Sequence, residues 1–254
     1  MATTNYDIIT LDQFISWLEK TNFKRKITWM AWHHTASPNT VDVKAKGFQH
    51  YVKAVQRVHI GRGWQDQAQH INVNNADGKI ILGRDWELNG GGIYNDPKGD
   101  ITVEVYANFD TEIMTAECRK TILGIAWACS KKFGIPLSEK GHKYHNWFDL
   151  NTGKELLDGQ AGARKTCPGK NFFGGYSRYA FNTGFLPALI AYGKSLEKVD
   201  KLEETVLALS NAKCKDGKTP VTPWPESWKA IFNGTQTTKG EYIMTLVRRL
   251  LKLE

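Results

Sequence analysis

The sequence lacks the features that carry a chain across or into a membrane. Its first residues, MATTNYDIITLDQF, contain no basic stretch followed by an apolar one, as a secretory signal peptide does. No run of about 18 apolar residues is present, which is the length that a membrane-spanning helix needs. We therefore expect a chain that is synthesised and folded in the cytoplasm, with no signal peptide and no membrane span.

Cysteine is scarce, and its spacing excludes the usual paired motifs. Only 4 of the 254 residues are cysteines, and none of them forms a CxxC pair. They are Cys118, Cys129, Cys167 and Cys214. Because a reducing cytoplasm disfavours disulfides, we expect these residues to be free thiols.

Nucleic-acid-binding motifs are also lacking, although the chain is basic. Its 34 Lys and Arg residues exceed its 26 Asp and Glu residues, which gives a formal net charge of +8. A basic balance favours encounter with polyanions of any kind. The basic residues are dispersed, and no zinc-finger, basic-zipper or RNA-recognition signature accompanies them. We predict no nucleic-acid partner.

The apolar pattern that is present indicates an α/β domain. Helical spacing of apolar residues predicts helices over 8–20, 43–58, 115–133 and 186–209. Runs of β-branched and aromatic residues predict strands over 27–35, 69–75, 79–84, 101–109 and around 141–148. Because strands alternate with helices, the expected fold is a central mixed β-sheet flanked by helices on both faces.

The composition changes near residue 195. Beyond this point a charged helical stretch is followed by the Pro-rich turn TPVTPWPESW and by an amphipathic helix over 239–253. We predict a main domain over 1–195 and a small helical segment over 196–254. Three roles stay open for this segment: binding the target of the main domain, dimerisation, or packing on the main domain.

Metal-ligating side chains occur at three places next to predicted strand ends or loops. His33-His34 ends an apolar strand, and His142 and His145 lie in or near a later strand. Cys167 stands between a basic Lys-Thr pair and the stiff Pro-Gly pair. Each alone is more typical of a structural residue. Together, in a chain without disulfides, they indicate a zinc site, since catalytic zinc takes three ligands from His, Cys and carboxylate and keeps a fourth position for water.

Four motifs in order carry a resemblance to a known family. They are WHHTASP (32–38), GWQDQAQHINVNNADGKIILGR (63–84), ITVEVYANFD (101–110), and HNWFDLNTG followed by RKTCPGKNFFGG (145–175). Across roughly residues 10–190, the chain resembles the zinc-dependent N-acetylmuramoyl-L-alanine amidases, the family that includes phage lysozyme-like amidases and peptidoglycan recognition proteins.

The resemblance implies three zinc ligands. The first His of the HHT motif, His33, and the Cys of KTCPG, Cys167, correspond to two of them. The third ligand of the family is a His upstream of the Cys, and here both His142 and His145 are candidates. We favour His145 because HNWFDLNTG resembles a phage and bacterial variant, and strand alternation would direct only one of the two histidines at the metal.

The resemblance also implies two catalytic residues. Glu104 lies where several family members carry a catalytic glutamate, and Lys165 matches a basic position that faces the reacting carbonyl. Some phage members use a tyrosine at the position of Gln69, so we expect the proton transfer to depend on Glu104. We expect His70 to be structural, and His34, Asp85 and Asp149 to have structural or ligand-supporting roles.

The implied function is hydrolysis of the amide bond between N-acetylmuramic acid and L-alanine in bacterial peptidoglycan, with Zn²⁺ as cofactor. Two alternatives stay open: a non-catalytic peptidoglycan-binding protein, and a stem-peptide peptidase on the same scaffold. The retained Cys167 favours an enzyme over a binding protein. Because no signal peptide is present, we expect either a phage endolysin or an exported effector, which reaches the wall after release. We also expect the protein to be a monomer.

Overall fold

The computed structural model describes residues 6–95 and 98–197. Residues through Tyr192 form one compact unit. The predicted segment 196–254, including its helix over 239–253, lies almost entirely outside the described residues, so the boundary near residue 195 stays a prediction. Within the described part of the chain, no helix has the length and apolar character needed to cross a bilayer.

A six-stranded mixed sheet forms the centre of the domain. Its strands are β1 (Ile8–Ile9), β2 (Trp29–His34), β3 (Ile71–Asn74), β4 (Ile80–Leu82), β5 (Asp100–Tyr106) and β6 (His142–Tyr144). They lie in the order β1-β4-β3-β5-β2-β6. The pairs β3–β5, β5–β2 and β2–β6 are parallel, whereas β4 runs antiparallel to both β1 and β3. The predicted fold class is therefore confirmed.

Each face of the sheet is covered by a different set of helices. The helices are α1 (Leu11–Lys20), α2 (Thr40–Lys46), α3 (Phe48–Gly61), α4 (Ala116–Phe133) and α5 (Arg178–Ala180). Ile80 belongs to the core with α1 and α4, whereas its neighbour Ile81 belongs to the core with α2 and α3. Neighbouring residues of a strand point to opposite faces, so the two cores lie on opposite sides of the sheet.

Two predicted helices have different limits in the structure. The helix predicted over 8–20 starts only at Leu11, because Thr10 caps it with a capping box and the preceding Ile8–Ile9 pairs with β4. The helix predicted over 43–58 is two helices, α2 and α3. They are separated at Gly47, whose φ of 94° a helix cannot contain.

The last part of the described chain packs aromatic residues against the α4 face of the sheet. After α5 the backbone makes a π-helical turn, Phe181–Phe185, and residues 186–197 are helical. The predicted helix over 186–209 is thus present as far as the description extends. Phe181 and Phe185 contact Tyr144 of β6, so this segment adds to the core on the α4 face.

Candidate metal centre and active-site pocket

A pocket of about 590 Å³ opens at the carboxyl ends of the parallel strands. Its wall includes His33 and His34 from β2 and Glu104 from β5. Val55 and His59 of α3 also line it, so the pocket lies on the α3 face. Open α/β sheets commonly bind ligands at this edge, because several strands deliver side chains to one place there.

Three potential metal ligands meet in this pocket. His33, His145 and Cys167 are buried, and each offers a ligand atom within 4.8 Å of those of the other two. The Cys167 Sγ lies 3.7 Å from the His33 Nδ1. A tetrahedral zinc with ordinary bond lengths would hold a sulfur and a nitrogen ligand about 3.6 Å apart. The donor set and its spacing therefore fit a metal of this kind.

His142, the alternative third ligand, points away from this group. In the register of β2 and β6, His142 is opposite Met30, on the face that packs against α4. Its Nε2 shares a hydrogen bond of 3.0 Å with Ser130 Oγ, and its ring stacks on Trp32. The structure therefore brings His145, and not His142, next to His33 and Cys167.

His145 reaches the pocket by a route that the sequence analysis did not predict. The strand predicted around 141–148 ends at Tyr144, and His145–Trp147 form a 3-10 turn. Strand alternation therefore does not set the direction of His145. The turn is tied to the loop that carries Cys167, residues 165–170, which is called the cysteine loop below. The Asn146 backbone N–H donates to the Cys167 carbonyl at 2.8 Å, and the Asn146 side chain donates to the Lys165 carbonyl at 2.5 Å.

The cysteine loop has a second anchor on the other side of the pocket. The two carboxylate oxygens of Asp110 accept hydrogen bonds from the Thr166 hydroxyl at 2.5 Å and the Lys170 backbone N–H at 3.2 Å. The His34 backbone N–H approaches the Cys167 Sγ at 3.4 Å. Asp110 ends a motif that carries the resemblance, but its polarity alone gave no signal that it holds this loop.

Burial keeps all three potential ligands uncharged. Loss of water lowers the pKa of His33 well below its usual value, and the neighbouring His145 and Lys165 add to this effect. The pKa of His145 falls to about 4 for the same main reason. Burial raises the pKa of the Cys167 thiol well above its usual value, and Glu104 raises it further. The imidazoles thus offer free lone pairs, and the thiol must lose its proton to bind a metal.

Glu104 lies beside this group. It is 8% exposed, lines the pocket and is paired with His33 in the register of β2 and β5. The side chain of Gln69 donates a hydrogen bond to its carboxylate. Burial raises the pKa of Glu104 to about 8, against the opposing effects of Lys165 and Gln69. A carboxyl group with a pKa near neutrality is suited to exchange protons with a substrate.

Lys165 and His70 occupy different surroundings. Lys165 is exposed and lines the pocket, and its positive charge acts on His33, His145 and Glu104. His70 is fully buried behind the pocket, where its Nδ1 accepts from the Thr102 backbone N–H at 3.0 Å and its Nε2 lies 2.9 Å from the Leu88 carbonyl. Both ring nitrogens of His70 are thus engaged by the fold, as expected for a structural residue.

Asp85 and Asp149 organise local turns. Asp149 accepts hydrogen bonds from the Asn151, Thr152 and Ala163 backbone N–H groups, and these bonds hold the long loop after the 3-10 turn. Asp85 accepts from the Glu87 backbone N–H at 3.0 Å. Their contacts are structural.

A glycine loop closes one side of the metal-ligating group. A Cβ at Gly92 would lie only 2.7 Å from the His33 Nε2, so a larger residue would displace the imidazole. The run of three glycines at 90–92 marked a loop in the sequence, but nothing there showed that it touches a candidate ligand. The Nε2 of His33 is buried with no hydrogen-bond partner among the described residues.

Comparisons with known proteins find a likeness only at the level of solved structures. No protein-family model matches the chain, and no curated protein does either. The N-acetylmuramoyl-L-alanine amidase LysC from Clostridium intestinale URNW is 19% identical, with a TM-score of 0.43 over 60% of this chain and 88% of that one. Wild-type Drosophila PGRP-LB is 16% identical, with a TM-score of 0.44 over 60% of this chain and 81% of that one. These proteins are of the kinds that the sequence motifs resemble.

The raised pKa of Glu104 predicts a pH-dependent stability of the metal-free protein. Between the usual value of 4.5 and about 8, the folded chain keeps a proton that the unfolded chain releases. The contribution of the Glu104 proton to the free energy of unfolding is fully present below pH 4.5 and is lost as the pH rises through 8. We expect Glu104→Gln to gain stability relative to wild type as the pH rises across this window. Urea unfolding at several pH values measures the difference; a difference that does not change with pH contradicts the prediction.

Proposed function

We propose that this chain is a zinc-dependent amidase that hydrolyses the bond between N-acetylmuramic acid and L-alanine in bacterial peptidoglycan. The observation that carries the proposal is the meeting of His33, His145 and Cys167 in one pocket, with the ligand atoms within 4.8 Å of one another. Glu104 and Lys165 line the same pocket, so a metal site, a proton acceptor and a positive charge adjoin one space.

The substrate class is supported by the sequence motifs and by the charge of the chain. The five proposed site residues in the pocket come from the HHT, VEVYANFD, HNWFDLNTG and KTCPG motifs that resemble the amidase family. The net charge of +8 favours encounter with an anionic cell wall. We propose that the chain acts as a lytic enzyme of the phage type.

Zinc is the metal that the donor set fits best. One thiolate and two imidazoles are borderline-soft ligands, and three protein ligands leave a position for water or substrate. We propose that the Nδ1 of His33, the imidazole of His145 and the Sγ of Cys167 hold it. When bound, zinc supplies Lewis-acid chemistry, which acidifies water and polarises a carbonyl group.

In the proposed reaction, the chain's own residues move the protons and stabilise charge. The Glu104 carboxylate accepts a proton from water as the water oxygen attacks the lactyl carbonyl carbon. The Lys165 ammonium stabilises the negative charge that develops on the carbonyl oxygen. Glu104 then gives the proton to the nitrogen of L-alanine as the carbon–nitrogen bond breaks. The products are a lactyl carboxylate on the sugar and a free stem peptide.

The ligand set predicts which histidine is needed for zinc. His145→Ala, His33→Ala and Cys167→Ser should each remove most bound zinc and activity, because each deletes one of three donors. His142→Ala should keep its zinc but lose stability, since it opens a cavity and leaves Ser130 without its partner. Elemental analysis and thermal unfolding on the same samples measure both properties. Zinc loss in His142→Ala with full retention in His145→Ala would transfer the ligand role.

The glycine loop predicts a loss of zinc affinity from a single methyl group. Gly92→Ala should weaken zinc binding by about 10-fold or more, because the Cβ displaces the His33 ring. Gly61→Ala is the matched control, since a Cβ there meets no atom within 4 Å. Competition titration with a chromophoric zinc chelator gives both affinities. Equal affinities in the two variants would show that Gly92 does not fix the position of His33.

The proton-transfer role predicts a rate loss without metal loss. Glu104→Gln keeps nearly the same shape but cannot accept a proton, and loss of a general base typically costs about 10²–10⁴-fold in rate. Its zinc content should stay near that of wild type, because Glu104 is not assigned as a ligand. Wall-lysis rate and zinc stoichiometry are measured on one sample. A rate within about threefold of wild type would show that Glu104 is only a strand residue.

A further inference from the structure

His34 is a buried polar residue of the pocket to which the proposed reaction gives no role. It is the last residue of β2, directly after the candidate ligand His33, and it is 7% exposed. Its ring lies against Gly169, where a Cβ would come 3.0 Å from the His34 Cε1. The ring is therefore held in a fixed place on the pocket wall, beside the cysteine loop.

One hydrogen bond sets the tautomer of this ring. The Phe109 backbone N–H donates to the His34 Nδ1 at 3.0 Å. A backbone N–H is only a donor, so Nδ1 must carry its lone pair. A neutral imidazole has one N–H, so the proton of His34 lies on Nε2. His34 is thus a hydrogen-bond donor at Nε2.

This donor is not used by the fold in the described part of the chain. The Nε2 of His34 has no hydrogen-bond partner among the described residues, and it is not among their fully buried unsatisfied atoms. His34 is one of the residues that line the pocket, so this donor adjoins the space that a ligand would occupy. A buried donor of this kind gains a partner when a ligand binds.

We propose that His34 is a substrate-contacting residue, whose Nε2–H donates a hydrogen bond to a neutral amide carbonyl of the bound wall fragment. This inference rests on the proposed function. A neutral acceptor fits better than a carboxylate, because the uncharged ring brings no positive charge and Asp110 lines the same pocket. The scissile carbonyl is assigned to Lys165, so the acceptor is a different carbonyl, in the stem peptide or in the acetamido group of the sugar.

Two substitutions separate the donor from the contact with Phe109. In His34→Gln, the side-chain amide reaches the position of Nε2 and keeps a donor there. In His34→Asn, the shorter amide can accept from the Phe109 N–H but cannot reach the substrate. We expect His34→Asn to raise KM by about 2- to 10-fold with kcat and zinc content nearly unchanged, and His34→Gln to recover most of this loss.

The measurement uses the zinc-loaded full chain with N-acetylmuramoyl-L-alanyl-D-isoglutamine. His50→Asn, on the exposed surface of α3, is the matched control. If wild type does not cleave this fragment or larger wall fragments, the proposed function fails. If wild type cleaves and His34→Asn keeps the wild-type KM, or if His34→Gln is the more impaired variant, the contact proposed for His34 is overturned.

Two further arms identify the carbonyl and the tautomer. The KM comparison is repeated with two shorter fragments, one that lacks the acetyl group and one that ends at L-alanine. The truncation that abolishes the KM difference between His34→Asn and wild type identifies the carbonyl. A difference that survives both truncations contradicts an amide acceptor. Independently of activity, a long-range ¹H–¹⁵N spectrum should show His34 protonated at Nε2, and a proton at Nδ1 would overturn the assignment.

Discussion

The exclusion of water from three ligand side chains is the constraint on which the candidate site depends. Burial makes both imidazoles hard to protonate and the thiol hard to ionise, so that His33, His145 and Cys167 are all neutral without a metal. A buried cation reverses this balance for the thiol, because its charge compensates the thiolate that burial disfavours. Metal binding would therefore be linked to deprotonation of Cys167.

The two faces of the sheet carry different kinds of residues, and this difference places the candidate site on one of them. On the α4 face, the strands contribute apolar and aromatic side chains. The polar ring of His142 also lies there, and it shares a hydrogen bond with Ser130. On the α3 face, β2 and β5 present His33 and Glu104 near their carboxyl ends, and the two residues are neighbours in register. The rigid parallel strands fix these two residues. The 3-10 turn and the cysteine loop, joined through Asn146, bring the potential ligands His145 and Cys167 to them.

Much of the fold and of the candidate site could be predicted from the sequence, because the periodicity of apolar residues and the order of the motifs indicate them. The strands, the main helices and the identity of the residues that meet in the pocket follow from these signals. The split at Gly47 was missed because the apolar spacing continues across it, and only the backbone conformation reveals the break. The preference for His145 over His142 agrees with the geometry, but its alternation argument was wrong, since His145 lies beyond the end of the strand.

Contacts between distant segments account for the rest. The packing of Gly92 against His33, the anchoring of the cysteine loop by Asp110, and the hydrogen bond that fixes the tautomer of His34 each join residues far apart in sequence. No local pattern encodes such contacts, because they depend on how the loops meet above the strand ends. The residue types that bear the chemistry could be listed from the sequence, whereas the side chains that position them could not.

Mass analysis of purified peptidoglycan digested by the zinc-loaded protein tests the central claim most directly. Amide hydrolysis at the sugar predicts intact glycan strands with free lactyl carboxylates, together with full-length stem peptides that begin with the free amine of L-alanine. Shortened stem peptides that stay attached to the glycan would indicate a peptidase on this scaffold. Wall that binds the protein but releases no fragment would contradict an enzymatic role altogether.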